Sequence, residues 1–337
     1  MKGFNVWDRA GYDMHGLPTE NKVQEELKLR DKKEIEDYGV DKFIKKCIEF
    51  SSENARIMDQ DLGKLGVWMD FENAYWPIKQ DFIDGEWWFI KKAWEQKRIY
   101  KDKKIMHWCA SCETSLAKHE LEYENAKDNS IYLKFRLKSK DNEYFLIWTT
   151  TPWTIPFNLA IMTNPKVDYA RVKVDNEIWI LAKELVKTLI GEILGKKYKI
   201  IEEFKGEKLE GMEYEHPFSK DIDYGSLKKE WKNVHTVVLS EEYVNINEGT
   251  GLVHCAPGSG PEDYEVGKNY GIGAFNTLNE KGEFQDIKKL KGMRAKKDDK
   301  EIVRMLKDIG AVISEKIVEH EYPYCWRCHK PVIFRAT

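Results

Sequence analysis

Four cysteines form two CxxC pairs, Cys109/Cys112 and Cys325/Cys328, separated by residues 113–324. A CxxC turn presents two thiolates from one knuckle, and four thiolates satisfy a tetrahedral zinc ion. Each pair alone also suits a redox dithiol. The flanks HWCASCET and YPYCWRCHKP surround the thiols with aromatic, proline and polar residues, which favours one shared structural zinc. Two further segments carry chemistry. In Trp148-Thr149-Thr150-Thr151-Pro152-Trp153-Thr154, consecutive hydroxyls stand at the end of an apolar strand, and Pro152 stops the ladder there. A threonine-rich strand edge is the plainer reading of that segment alone, because Thr favours strands. Residues 249–264, GTGLVHCAPGSGPEDY, run from strand to Gly/Pro-rich turn to helix, with His254 at the strand end and Asp263 in the first helical turn. Such a layout turns side chains and unpaired N–H groups into a cleft. Taken singly, His254 also reads as a satisfied structural histidine, and Asp263 as a favourable first-turn charge.

The elements that position these residues follow from hydrophobic periodicity. Residues 21–37 and 41–65 predict helices, with Asp41 as the N-cap of the second. Ile83, Trp87, Ile90 and Trp94 mark one face of a third helix, a stripe expected to be core. From about residue 130 the period falls to two. Ile131, Leu133, Phe135 and Leu137 alternate with polar residues, and further strands are expected at 144–149, 169–174, 177–181, 198–202, 235–239 and 251–255. Helices are expected at 182–194 and 261–270, a loop-rich excursion at 205–232, a partly helical Lys-rich stretch at 279–309 and another alternating run at 311–319.

The 337 residues suffice for two domains with cores of their own. No stretch reaches the ~18–20 apolar residues of a membrane span, and the N-terminus lacks the apolar stretch of a signal peptide. With four cysteines in the knuckles, Cys47 and Cys255 remain, which predicts a reducing, cytoplasmic setting. Net charge is −3, so a nucleic-acid partner must be held by local patches.

Together these segments resemble the isoleucyl-tRNA synthetases, class I enzymes whose Rossmann-type catalytic domain carries an inserted editing domain. The resemblance covers essentially the whole chain. Gly11-Tyr12-Asp13-Met14-His15-Gly16-Leu17-Pro18-Thr19-Glu20 is similar to the family's G(W/Y)DxHGLPxE segment, and CETSLAKHELEYE to its junction into the insert. TTTPWTIPFN and GTGLVHCAPGSGPEDY are similar to its two editing-pocket segments; valine and leucine relatives usually carry an Arg after the paired threonines.

The resemblance implies an α/β fold: a partial Rossmann-type catalytic domain with zinc knuckles, carrying an inserted β-rich, β-barrel-like α+β editing domain. The expected segments are 1–127 (catalytic, first knuckle), 128–319 (editing) and 320–337 (return, second knuckle). It implies that Asp13 holds the amino acid's α-amino group, with Gly11 and His15 shaping the wall. Thr149, Thr150 and Thr151 would surround the ester and terminal ribose, Trp153 would line the pocket, His254 would refuse isoleucine, and Asp263 would anchor the ammonium. Cys255 is not expected to act as a nucleophile, because neighbouring strand residues face opposite ways.

HxGH and a KMSKS-like lysine loop, which serve ATP and Mg2+ in the full-length parent, are missing from these residues. The chain is therefore expected to be an internal fragment of an isoleucine-tRNA ligase, retaining hydrolysis of Val-tRNA(Ile). Its expected partners are the tRNA(Ile) 3′ end, isoleucine and valine, and the remaining N- and C-terminal parts of the enzyme, with no membrane. A non-catalytic, zinc-stapled tRNA-binding fragment and a valyl- or leucyl-type editing region are the alternatives.

Overall fold

A computed structural model describes residues 2–337, which form two compact units that divide after Asp102. The first contains β1 (Arg9–Gly11), α1 (Leu17–Glu26), α2 (Lys32–Tyr38), α3 (Val40–Lys64), β2 (Asp70–Tyr75) and α4 (Gln80–Glu95). β1 and β2 pair in parallel, as strands joined by a helical crossover do. Two expectations need correction here. The helix predicted over 21–37 is broken: Lys28 takes a positive φ of 58°, and Asp31 caps a separate α2 by accepting the Glu34 N–H at 3.0 Å. Asp41 is not the N-cap of α3: the helix begins at Val40 with Gly39 (φ 105°) before it, and Asp41 lies in the first turn. The tryptophan stripe also departs from the core expected of it. Trp87 and Trp94 are 65% and 67% exposed, and α4 buries no residue. An apolar surface of that kind is an uncovered contact face in this chain.

The second unit begins with β3 (Ile105–Cys109) and β4 (Thr114–Leu116), then β5 (Leu121–Leu137), β6 (Glu143–Thr149), β7 (Ala160–Thr163), β8 (Asp168–Val174), β9 (Glu177–Ala182), β10 (Lys199–Lys205) and β11 (Tyr214–Glu215). There follow α5 (Tyr224–Glu230), β12 (Thr236–Leu239), β13 (Leu252–Cys255), α6 (Pro261–Asn269), α7 (Asp299–Asp308), β14 (Val312–Cys325) and β15 (Ile333–Ala336). The helix expected at 182–194 is a 3₁₀ turn followed by a π-helical turn, Lys187–Ile193. Thr188, Ile190 and Ile193 are β-branched and Gly191 is flexible, which weakens a regular helix there.

Seven strands form a mixed sheet in the order β10-β8-β9-β6-β5-β11, with β14 also on β5; β12-β7-β13 form a second sheet and β15-β3-β4 a third. The β-rich body of this unit is thus built from mixed sheets that no continuous ladder closes: Pro152 lacks an N–H, β6 stops at Thr149, and the chain turns into a second layer. Ile131, Leu133, Phe135, Phe145, Ile147 and Ile180 fill the interior with no exposed surface. β5 and β14 form a long antiparallel ribbon, from Leu121↔Cys325 to Leu133↔Val312. The ribbon runs from the cysteine sheet, where β5 is largely exposed, into the core, where it is buried. Among the described residues, no helix is long and apolar enough to cross a membrane.

Candidate functional site

The two knuckles meet. All four Sγ atoms of Cys109, Cys112, Cys325 and Cys328 lie within 4.8 Å of one another, and Cys109 and Cys328 are 3.5 Å apart. A tetrahedral zinc with sulfur at ~2.3 Å separates its ligands by about 3.8 Å, so the donor set fits that ion. The Cys112 N–H points at Cys109 Sγ, 3.3 Å away, as it does in a knuckle turn. Cys109 and Cys325 are fully buried beside Leu116 and Val332, and Arg327 pairs with Glu120 across the two knuckles. Thiols this crowded do not ionise together. Hydrogen bonds from Cys109 and Cys112 hold Cys328 down at about 2, and the hydrogen bond with Cys109 drives Cys112 far above the thiol range. A divalent cation relieves that frustration.

The threonine segment owes its geometry to the proline. Pro152 opens a 3₁₀ turn, Pro152–Phe157, with Thr151 at its N-cap. Three residues per turn place Thr151 and Thr154 one above the other. Their hydroxyls lie 3.3 Å apart, Thr149 and Thr151 hydroxyls 3.2 Å apart, and Thr154 Oγ1 lies 3.0 Å from His254 Nε2. Thr154 Oγ1 also reaches the Thr151 carbonyl at 2.8 Å. A hydroxyl has one proton and a carbonyl none, so directing the Thr154 proton to that carbonyl assigns the chain. Thr149 donates to Thr151, Thr151 to Thr154, and His254 Nε2–H to Thr154. Thr150 stays outside this chain, partly exposed, and its hydroxyl has no hydrogen-bond partner among the described residues. Trp153 is 1% exposed, so its ring packs in the core behind the turn, and its Nε1 is buried without a partner.

β13 brings His254 to this turn by pairing with β7, His254 opposite Ile161. With Nε2 protonated, Nδ1 is left as a buried acceptor that no group meets. Burial pulls the ring down to about 4, so it is neutral near pH 7. Cys255 points elsewhere. It is fully buried, its thiol lies 3.6 Å from the Asp263 carbonyl, and burial drives its ionisation well above the ordinary range. Asp263 sits in the first turn of α6 and folds back over the 256–260 turn, where Oδ2 accepts the Ala256 N–H at 2.9 Å. Among the described residues its Oδ1 has no hydrogen-bond partner. Burial pushes the carboxyl up to about 6, against the opposing Ala256 N–H. Gly258 is obligatory in that turn, because a Cβ there would lie 2.3 Å from the Phe275 carbonyl oxygen.

In the first unit, Gly11 ends β1 opposite Tyr75. Asp13 borders a cleft of about 320 Å³ with Tyr12, Pro18, Phe50 and Asn54, whereas His15 borders another, of about 400 Å³, with Phe43, Ile44 and Ile78. The two clefts adjoin, sharing Met14, Thr19 and Ser51 in their walls. A cavity of about 520 Å³ in the larger unit, lined by His216, Tyr224 and His235, lies behind the 3₁₀ turn and does not touch the threonine chain.

Two residues of the site, Thr154 within the threonine segment and Asp299 outside every motif, receive no role from the sequence. Thr154 links the threonines to His254, and its i, i+3 spacing from Thr151 before a proline-started turn is the signal that could have found it. Asp299, at the start of α7, accepts the Trp153 N–H on Oδ1 at 3.1 Å, across a separation of 146 residues that leaves no local signal. Burial pushes its carboxyl up to about 7, opposed by Lys296.

Comparison with known proteins places these features in a family. Residues 1–247 match the model of tRNA synthetases class I (I, L, M and V). The chain is 49% identical to the isoleucine–tRNA ligase of Pyrococcus furiosus and 44% identical to that of Sulfolobus acidocaldarius, in each case over 100% of this chain and 32% of the relative. It therefore spans about a third of the length of the curated relatives it matches. The P. knowlesi cytosolic leucyl-tRNA synthetase editing domain is a distant structural likeness, with TM-score 0.42 and 12% identity over 56% of this chain and 97% of that one. With the family model matching from the first strand pair through the threonine turn, the chain belongs to the class I tRNA synthetases of the isoleucine, leucine, methionine and valine group.

Proposed function

We propose that this chain is the editing region, with part of the synthetic domain, of an isoleucine–tRNA ligase, and that it hydrolyses valine mis-attached to tRNA(Ile). The observation that carries this reading is the hydroxyl chain from Thr149 through Thr151 and Thr154 to His254, which stands on the strand that leads through the 256–260 turn into the helix bearing Asp263. A second site of this kind answers a physical need. One methylene in an apolar pocket discriminates by only ~1–3 kcal/mol, a limit for which isoleucine and valine are themselves the standard illustration.

Ester hydrolysis requires a held substrate and an oriented water more than a strong nucleophile. Asp263 Oδ1 anchors the α-ammonium while Oδ2 stays on the Ala256 N–H. Thr150, whose hydroxyl is outside the chain, donates to the terminal ribose or the ester oxygen. Thr149 and Thr151 have committed their protons and offer lone pairs to the attacking water. His254 acts as a wall: Thr154 fixes the ring at Nε2, its basicity is too low for a general base near pH 7, and its position limits the side chain that fits. Trp153 backs the turn from the core. The buried Cys255 thiol takes no part.

Insertion of residues 128–319 between a catalytic segment 1–127 and a return 320–337 draws support from the ribbon register. Lys127 stands opposite Glu319, so the outgoing and returning strands cross the proposed seams at one level. Cys109, Cys112, Cys325 and Cys328 would hold a closed structural zinc that fastens the end of that ribbon. Gly11, Asp13 and His15 would contact the amino acid in the parent's synthetic site, where ATP and Mg2+ act, in the cytoplasm. The test is incubation of the purified chain with Val-tRNA(Ile) without ATP. Release of valine above the buffer rate is expected; release equal to the blank would leave a non-catalytic, zinc-stapled tRNA-binding module.

A further inference from the structure

The 3₁₀ turn that carries the threonines has an unusual cap. A threonine at the N-cap ordinarily accepts one of the first N–H groups of its own turn. Thr151 makes no such bond. Its hydroxyl lies instead between Thr149 and Thr154. The N–H left over, that of Trp153, is taken by Asp299 from α7. Asp299 faces a set of charged groups at the root of the ribbon: Lys296, whose Nζ bonds Asp128 Oδ2 at 2.6 Å and stands 3.4 Å over the Tyr322 ring; Asp128, which also meets His320 Nε2 at 3.0 Å; and its neighbour Asp298.

We infer that Asp299 is a positioning residue for the hydrolysis: by capping the threonine turn through the Trp153 N–H, it releases the Thr151 hydroxyl into the site and ties the turn to the ribbon. The inference rests on the proposed editing reading. It goes beyond that reading in assigning the turn's geometry to a carboxylate remote from every motif.

The experiment compares Asp299→Ala and Asp299→Asn with the unaltered protein in two readouts: kcat and KM for Val-tRNA(Ile) deacylation, and hydrogen exchange at the Trp153 amide. Asn keeps an acceptor oxygen where Oδ1 stands; Ala does not. In Asp299→Ala the Trp153 amide should exchange faster and kcat fall about ten- to a hundred-fold with KM little changed, the scale of a small misplacement of reacting groups. Asp299→Asn should keep the amide protected and retain most of kcat. Unaltered kcat in Asp299→Ala, or equal loss in both variants with the amide protected in both, would overturn the inference. If the unaltered protein does not deacylate, the editing reading fails instead, while the exchange readout still decides whether Asp299 caps the turn.

Discussion

Replacing Asp263 by Asn separates anchoring from folding at one atom. Oδ2 holds the Ala256 N–H at 2.9 Å, and the side-chain oxygen of Asn can take over that bond. What Asn cannot supply is the charge at the second oxygen. A hydrogen bond to a charged group contributes ~1.5–3 kcal/mol net, so losing the ammonium anchor should lower kcat/KM for Val-tRNA(Ile) by roughly ten- to a hundred-fold. Thermal unfolding should find Asp263→Asn level with the unaltered protein below about pH 4 and more stable than it at pH 7, where the buried charge burdens only the unaltered protein, whereas Asp263→Ala strands the Ala256 N–H and should lose about 1–3 kcal/mol relative to Asp263→Asn. The carboxyl is pushed up to about 6 by burial, so the anchor is lost as pH falls through about 6, and kcat/KM should fall with it. The stability effect has the opposite sign. A folded pKa above the unfolded value of 3.8 gives stability that is full below that value and lost as pH rises through about 6. Asn should flatten both dependences. Wild-type kcat/KM in Asp263→Asn, or an acid limb that survives the substitution, would refute the anchoring role and leave Asp263 as a turn clamp.

Three further outcomes follow from the structure. Metal analysis should find about one zinc per chain, and zinc at about a thousand times its Kd should stabilise by about 4 kcal/mol; chelation should speed exchange at Cys109 and Cys325 while leaving β7 protected, and two half-filled sites would contradict the shared centre. His254→Ala removes the proposed wall beside Thr154 and should raise hydrolysis of Ile-tRNA(Ile) by about tenfold or more, measured against unchanged Val-tRNA(Ile) release. Gly251→Ala places a Cβ 2.4 Å from the Ala182 Cβ at a φ of 73°, and urea unfolding should show a loss of roughly 2–5 kcal/mol, part of it recovered by adding Ala182→Gly.

What a linear reading captured was whatever the chain repeats locally. The alternation of Ile131, Leu133, Phe135 and Leu137 correctly gave a buried strand, because one period-two face met the core. The CxxC spacing brought four sulfurs to one point because each knuckle supplies its pair regardless of what lies between. The failures lie where tertiary context decides. The tryptophan face of α4 carries a core-like pattern yet is exposed, since periodicity reports that a face wants covering and not whether this chain covers it. The direction of the buried Trp153 ring is set by a 3₁₀ turn, not a continuing strand, and no periodicity in the sequence foretells that turn. Asp299 and the Lys296–Asp128–His320 cluster depend on the approach of segments far apart in the chain, and no local pattern encodes that approach.

The proposed editing site is a sieve that accepts valine and refuses isoleucine. Its most direct test is single-turnover deacylation of Val-tRNA(Ile) and Ile-tRNA(Ile) by the same protein preparation without ATP. Fast release of valine with isoleucine left at the buffer rate is the predicted result; equal rates for the two esters would contradict the account.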